Sequence, residues 1–116
     1  MLARLQNGMQ EEWVLRYTEE PPWRIEVTTA TGELLVGTGD DLFTALQDVR
    51  RGLDHRQVVL CCNGARANAR PSPGFSASGG ELVYLVPRRR PVSVRDIVPL
   101  FAPAPAEAAV TVREQE

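Results

Sequence analysis

GTGDDLFTALQDVRRGLD, residues 37–54, is the stretch that decides the fold. Its apolar residues recur at spacings of four, three and four and so line one face of an α-helix: Leu42, Leu46, Val49 and Leu53. Thr38 or Asp40 can cap the helix, and Asp40 and Asp41 suit the positive end of its dipole. Arg50 and Arg51 suit the negative end. These signals agree and predict one main helix.

Five other segments carry strand patterns: Glu12–Tyr17, Trp23–Val27, Leu34–Val36, Val58–Cys62 and Leu82–Val86. The turn residues between Trp23–Val27 and Leu34–Val36 predict a β-hairpin. Val58–Cys62 is apolar throughout, which is typical of a strand buried on both faces. Because the helix can carry the chain back, we expect this strand to pair in parallel with Leu34–Val36.

The sequence therefore predicts an α+β fold with elements in the order β-β-β-α-β-β. We expect one mixed sheet of four or five strands, with the main helix packed on one face. A short C-terminal helix should begin at the capping pair Ser93 and Asp96. The uncovered sheet face, or an edge strand, would be available to a partner or to a second copy in a homodimer.

The length of 116 residues suits a single domain, which we place at residues 11–101. Residues 1–10 have no clear period and are expected to form a flexible arm. Residues 102–116 are rich in Ala, Pro and Glu and are expected to form a disordered tail.

The net charge of −2 conceals a strong segregation of charge along the chain. Residues 1–55 hold five arginines and ten acidic residues, whereas residues 56–98 hold seven arginines and two acidic residues. This pattern indicates a basic face for an anionic partner, unless the two halves interleave in the fold and neutralise each other. Without a leader-like start or a long apolar run, we expect a soluble cytoplasmic protein with no membrane segment.

The nineteen residues 63–81 form the least periodic part of the predicted domain. Asn63 and Gly64 tolerate positive φ and so favour a sharp turn after the buried strand. Arg66, Asn68 and Arg70 alternate with alanines and would share one face of an extended chain. Such a row of donors suits a carboxylate or phosphate partner, although a loop kept polar for solubility has the same composition.

A second basic cluster, Arg88, Arg89 and Arg90, follows the last strand. This second cluster lies near Arg66 and Arg70 if the predicted last strand ends beside the Asn63-Gly64 turn. It lies at the opposite end if the last strand pairs antiparallel with Val58–Cys62. A simple solvated strand end is the other interpretation. Nucleic acid is weakly indicated as a partner, because both clusters lack aromatic residues for base stacking.

The candidate nucleophiles and metal ligands are few. Cys61 and Cys62 are adjacent and should point to opposite faces of a strand, so we expect free, buried thiols and not a disulfide. His55, the single histidine, lies roughly 20 Å away along an extended backbone. The sequence therefore predicts no metal site, no cofactor and no enzyme, although Cys62 with Asn63 and the following amides leaves a Cys-dependent activity open.

The segments GTGDDLFTALQDVR and VVLCCNGARANARPS, with a glycine pair before LVYLV, carry a resemblance. They resemble a set of small uncharacterised bacterial proteins with a G-x-G-D-D-L-F-x-A-L helix and an L-L-C-N-G-A-R strand and turn. The chain differs in having Pro73 between Ser72 and Gly74. No activity is established for that set, so the resemblance implies domain limits and a distinctive loop.

Two functions follow as hypotheses. The first is a non-enzymatic interaction module, of adaptor or immunity type, that presents an arginine-rich loop to an acidic protein. The residues expected at this site are Asn63, Arg66, Asn68, Arg70, Arg88, Arg89 and Arg90. The second is the binding of a phosphate-bearing ligand or nucleic acid through the same arginines.

Overall fold

The structure is a computed structural model that describes residues 1–71 and 80–115. The strands are β1 (Leu2–Arg4), β2 (Gln10–Glu12), β3 (Val14–Tyr17), β4 (Trp23–Thr28), β5 (Leu34–Gly39), β6 (Val59–Leu60), β7 (Ala69–Pro71), β8 (Leu82–Leu85) and β9 (Ile97–Pro99). The helices are α1 (Leu42–Asp54) and α2 (Val112–Gln115), with 3₁₀ turns at Asn63–Ala65, Val94–Asp96 and Ala106–Ala108.

The predicted α+β class and main helix are confirmed, but the single mixed sheet is not. A short C-terminal helix is present as α2, whereas the position predicted for it, after Ser93, has a 3₁₀ turn at Val94–Asp96 that leads directly into β9. The described residues form three antiparallel sheets, with strand orders β2-β1-β6, β3-β4-β5 and β7-β8-β9. β6 pairs antiparallel with β1, Ala3 opposite Leu60, and not in parallel with β5. The neighbour of β6 is therefore β1 of the N-terminal segment, and not the second strand of the hairpin as predicted. The hairpin itself is present as β4 and β5.

Helix α1 contains the predicted apolar face, with different details at its two ends. Asp41, and not Thr38 or Asp40, is the N-cap residue, because its Oδ1 accepts a hydrogen bond of 2.7 Å from the Thr44 N–H. Gly52 lies inside the last turn, and the helix ends at Asp54 with His55 as its C-cap. The apolar face is buried at Leu42, Leu46, Val49 and Leu53.

Glycines allow α1 to lie directly against β5. A Cβ atom on Gly37 would be 2.9 Å from the Val49 amide nitrogen and would also meet the Ala45 carbonyl oxygen. A Cβ atom on Gly39 would be 2.8 Å from the Ala45 nitrogen. The G-x-G pattern before the helix is therefore a packing requirement, because backbone at that distance cannot move aside.

The two chain ends pack against the core, in contrast to the free arm and free tail expected from the sequence. In the N-terminal segment, Ala3 of β1 is fully buried. In the C-terminal segment, Val112 and Gln115 of α2 are buried, and the Cys62–Pro103 and Arg66–Ala109 bridges tie the intervening chain to the centre. The prediction of a disordered tail was based on low apolar content. It failed because hydrogen bonds from polar groups hold much of the C-terminal segment in place.

Arg50 is the main polar anchor of the C-terminal segment. Its side chain is 2% exposed and projects from α1. Nη1 donates to the Gly64 carbonyl oxygen (3.1 Å) and to Oε1 of Gln115 (2.8 Å), and Nη2 donates to the Val110 carbonyl oxygen (2.9 Å). Gln115 Nε2 in turn donates to the carbonyl oxygens of Gly64 (2.9 Å) and Arg66 (2.7 Å). A buried guanidinium is tolerated only when its donors are satisfied, so these bonds fix the segments together.

The first part of the predicted aperiodic loop is regular. After the 3₁₀ turn at Asn63–Ala65, the chain forms β7, which pairs with β8 and buries Ala69. The central loop residues 72–79, which include the predicted Pro73 and Gly79 features, lie outside the described residues, as does Glu116. Within the part of the chain that is described, no helix is long and apolar enough to cross a membrane.

We predict that Gly37→Ala lowers the free energy of unfolding by about 2 kcal/mol, because the added methyl group must displace helix backbone. Gly52→Ala is the matched control, since a Cβ there meets no atom within 4 Å. In the helix interior that change should instead raise stability by up to about 1 kcal/mol. Urea unfolding measures both, and a Gly37→Ala protein as stable as the wild type would contradict the packing argument.

Candidate functional site

The β7–β8 hairpin brings the two predicted arginine clusters to the same end of one sheet. Ala69 lies opposite Leu85, and the pairing continues beyond the strands. There the Val86 N–H donates to the Asn68 carbonyl oxygen (2.9 Å) and Asn68 Nδ2 donates to the Val86 carbonyl oxygen (3.1 Å). Because β8 pairs antiparallel with β7 and not with β6, Arg88 follows β8 at the same end of the sheet at which Arg66 precedes β7.

Arg66, Asn68 and Arg88 line a shallow depression of about 280 Å³, together with Ala67, Val86, Pro87 and Ala108. We call this the basic depression. It unites residues separated by some twenty positions in the sequence, and its polar lining side chains are two guanidinium groups and one amide. Such a lining offers mainly hydrogen-bond donors, which suits an anionic partner.

The Arg66 side chain is held in place by the buried Asn63. Its Nε donates to Oδ1 of Asn63 (3.0 Å), and Nδ2 of Asn63 donates to the Pro99 carbonyl oxygen (3.0 Å). Asn63 is buried, so it orients Arg66 and does not itself face a partner. The Arg66 backbone carbonyl accepts the bond from Gln115, which fixes the chain at the same point.

Arg70 does not share a face with Arg66 and Asn68, so this part of the prediction is wrong. The Ala69 N–H donates to the Arg66 carbonyl oxygen (3.1 Å), which makes a turn where an extended chain was expected. Arg70 instead lines a separate depression with Phe43 and Gln47, and its Nη1 donates to the Ala67 and Ala69 carbonyl oxygens.

The three consecutive arginines have different surroundings. Arg88 and Arg89 are exposed, and their guanidinium groups make no hydrogen bond to a described residue. Arg90 forms a two-pronged ion pair with Asp96, with Nη1 at 2.8 Å from Oδ2. The hydrogen bond from Arg90, followed by that from the Ser93 N–H, lowers the pKa of Asp96 to about 2. Arg90 thus secures the predicted Ser93–Asp96 capping box and is not free for a partner.

The predicted Asn63-Gly64 turn has a different cause from the one expected. Neither residue has positive φ. A Cβ on Gly64 would instead be 2.8 Å from Cδ2 of Leu46 and would overlap the Leu100 side chain. Glycine fits here because the turn packs tightly against the core, and a larger residue would have to displace these two buried leucine side chains.

Both cysteines are free and buried, as the sequence predicts. Burial raises the pKa of Cys62 to about 11, although Arg50 and the amides of Ala65 and Gly64 oppose this shift. Burial also raises the pKa of Cys61. Few thiolates therefore exist at neutral pH, and nucleophilic chemistry requires the thiolate.

Two further concavities were not anticipated from the sequence. One is an apolar groove of about 440 Å³ between Leu15, Tyr17 and Phe101, where the Tyr17 and Phe101 rings stack with centroids 4.7 Å apart. The other is a polar cleft of about 660 Å³ between the two chain ends, which His55 and Arg113 help to line. Each joins residues from distant parts of the chain, and no local pattern marks either one.

In residues 1–71 and 80–115, no group of three or more His, Cys, Asp or Glu side chains is arranged to hold a metal ion. No protein-family model matches the chain, and no curated protein is significantly similar to it.

The Arg90–Asp96 pair predicts a defined pH dependence. The folded-state pKa of Asp96 (about 2) lies below the ordinary value of 3.8, so the ionised carboxylate stabilises the fold above pH 3.8. That contribution is lost as the pH falls through 2. Wild type should therefore exceed Asp96→Asn in urea midpoint near neutrality, and the gap should close in acid. A gap for Asp96→Asn that stays constant from neutral to acid pH would contradict the assignment.

We predict that neither cysteine reacts with an aromatic disulfide reagent in the native protein at mildly alkaline pH, because both thiols are buried and protonated. Both should react once urea unfolds the chain. An Ala67→Cys variant, with its new thiol on the exposed surface, provides the positive control. Rapid native labelling of Cys62 would reopen a Cys-dependent activity.

Proposed function

We propose that the protein is a non-enzymatic interaction module that binds an acidic protein surface through the basic depression. The observation that carries this proposal is the β7–β8 pairing, which sets Arg66 and Asn68 beside Arg88. Arg89 adds an exposed positive charge at the adjacent position. The site therefore comprises Arg66, Asn68, Arg88 and Arg89, with Asn63 as its support.

The two arginines of the depression contribute in different ways. Arg66 is held by Asn63, so little side-chain freedom is lost when it meets a carboxylate. Arg88 has no described hydrogen-bond partner, so its guanidinium is available to form a forked pair with a carboxylate. The fixed guanidinium of Arg66 beside the available guanidinium of Arg88 supports recognition of a specific acidic surface.

Nucleic acid or a phosphate-bearing ligand is the alternative occupant of the same arginines. The residues that line the basic depression include no aromatic ring, so base stacking has no platform there. The lack of a stacking platform favours an acidic protein as the partner.

The two buried thiols support a reducing compartment, and we extend the proposal to a cytoplasmic protein.

The proposal can be tested with probes of defined chemistry. Fluorescence anisotropy compares a short labelled Glu-rich peptide with a single-stranded oligonucleotide of equal net charge. We expect the peptide to bind more tightly, and Arg88→Glu to weaken it by roughly tenfold because attraction becomes repulsion. Arg66→Ala should weaken binding too, and a partner later captured from a lysate should respond to both variants.

Arg16→Glu is the matched control, because Arg16 is an exposed arginine on β3, outside the β7-β8-β9 sheet, and the charge change is identical. It should weaken peptide binding less than twofold if the depression is the site, since Arg16 does not line the depression and the charge of an exposed side chain is screened by salt. Equal effects of Arg16→Glu and Arg88→Glu would refute a defined site. Tighter binding of the oligonucleotide, with a steep loss of affinity in salt, would replace the acidic protein by nucleic acid.

A further inference from the structure

The β7-β8-β9 sheet has two faces of different kinds. Val83 of β8 is fully buried in the core, and Val98, opposite it on β9, packs against the same core. Side chains alternate along a strand, so the neighbours of these two valines point to the other face. That outer face carries five apolar residues, which we call the apolar strip: Leu82, Tyr84, Val86, Ile97 and Pro99.

The apolar strip is accessible to solvent. Leu82 and Val86 are each 38% exposed, and Pro99 is exposed as well. Tyr84 and Ile97 are half-buried. An antiparallel sheet with one solvated face normally carries polar side chains on that face. A row of apolar side chains there instead indicates a surface that a partner covers.

The strip leads directly into the basic depression. Val86 belongs to both, since it lines the depression together with Arg66 and Arg88. Arg70, which lies opposite Tyr84 in the sheet, adds a positive charge at the border of the strip. The five residues of the strip carry no charge themselves. An apolar surface thus passes into a positively charged one at the end of β8.

The backbone of β8 is already paired on both sides, because β8 is the central strand between β7 and β9. The strip therefore offers side chains and no free strand edge, so an occupant must satisfy its own backbone polar groups. An α-helix does so, whereas an added strand does not. Residues 82–86 span about 13 Å at about 3.3 Å per residue, which matches about two and a half helical turns of about 5.4 Å each.

We propose that the apolar strip docks the apolar face of an acidic amphipathic helix of the partner protein. This inference rests on the proposed function, because the carboxylates of that helix meet the arginines of the basic depression. Charge complementarity selects this occupant over a second copy of the chain. A second copy brings the same strip with arginines at its end, and like charges oppose that contact.

Two labelled peptides of identical composition, rich in Leu and Glu, test the proposal by fluorescence anisotropy. One has its leucines at i, i+3, i+4 and i+7 and so forms an amphipathic helix, and the other has the same residues in scrambled order. We expect the amphipathic peptide to bind roughly tenfold more tightly. Only this peptide can bury its leucines on the strip while its glutamates reach the depression.

Leu82→Asn should weaken binding of the amphipathic peptide by roughly tenfold, because an apolar anchor of the strip is lost. It should change the affinity for the scrambled peptide by less than about twofold. Leu34→Asn serves as the control, since Leu34 is 55% exposed on β5, in another sheet, and it should leave both affinities unchanged. Urea unfolding checks that each variant folds, and Ile97→Thr replaces Leu82→Asn if that variant is unstable.

Arg88→Glu separates this inference from the proposed function, because it should weaken both peptides. If it does so while Leu82→Asn leaves the amphipathic peptide unaffected, the docking strip is refuted and the basic depression stands. If Arg88→Glu affects neither peptide, the proposed function fails and the acidic helix fails with it. A dimer of the free protein that Leu82→Asn converts to a monomer in sedimentation velocity would make a second copy the occupant and overturn the proposal.

Discussion

The buried guanidinium of Arg50 is the group on which the rest of the structure depends. Burial lowers the pKa of Arg50, with the nearby Cys62 and Asp54 partly opposing this, yet an arginine keeps its charge at neutral pH. A charge removed from water is tolerated when hydrogen bonds compensate for the lost solvation. The acceptors here come from the turn after β6 and from the C-terminal segment. The Arg50 side chain thereby holds the turn after β6 and the C-terminal segment next to each other.

The basic depression and the polar cleft between the chain ends both depend on that contact. Gln115, which accepts a hydrogen bond from Arg50, donates to the Arg66 carbonyl oxygen and so fixes the rear of the basic depression. One turn further along α1, Asp54 accepts hydrogen bonds from the first backbone N–H groups of α2 and forms part of the wall of the polar cleft between the chain ends. Helix α1 packs against β5 through its glycine contacts and carries both polar anchors as well. The positions of the depression and the cleft are therefore coupled through α1.

The segregation of charge along the sequence is only partly retained in space. Arg56, from the basic segment, forms an ion pair of 2.7 Å with Glu33 of the acidic half, and Arg90 is paired with Asp96 within its own segment. Arg66, Arg88 and Arg89 form no ion pair with a described residue and give the basic depression its charge. The polar cleft between the chain ends is lined by arginines from outside the basic segment, Arg4, Arg51 and Arg113, together with the carboxylates of Asp54 and Glu114. Net charge along the chain thus indicated the basic depression and gave no sign of this mixed-charge cleft.

The sequence by itself determined the elements whose signals are local. The helix at Leu42–Asp54, the β4–β5 hairpin and the Ser93–Asp96 capping box depend on neighbours a few residues away, and all were predictable. The burial of the cysteines was predictable because they end a continuous apolar run. Tertiary structure decided the strand partners, the packing of both chain ends, the separation of Arg70 from Arg66 and the polar cleft between the chain ends. The physical reason is that these features depend on contacts between residues far apart in the chain. Composition gave no sign that a buried guanidinium, together with a few small apolar side chains such as Ala109 and Val112, would hold the C-terminal segment in place.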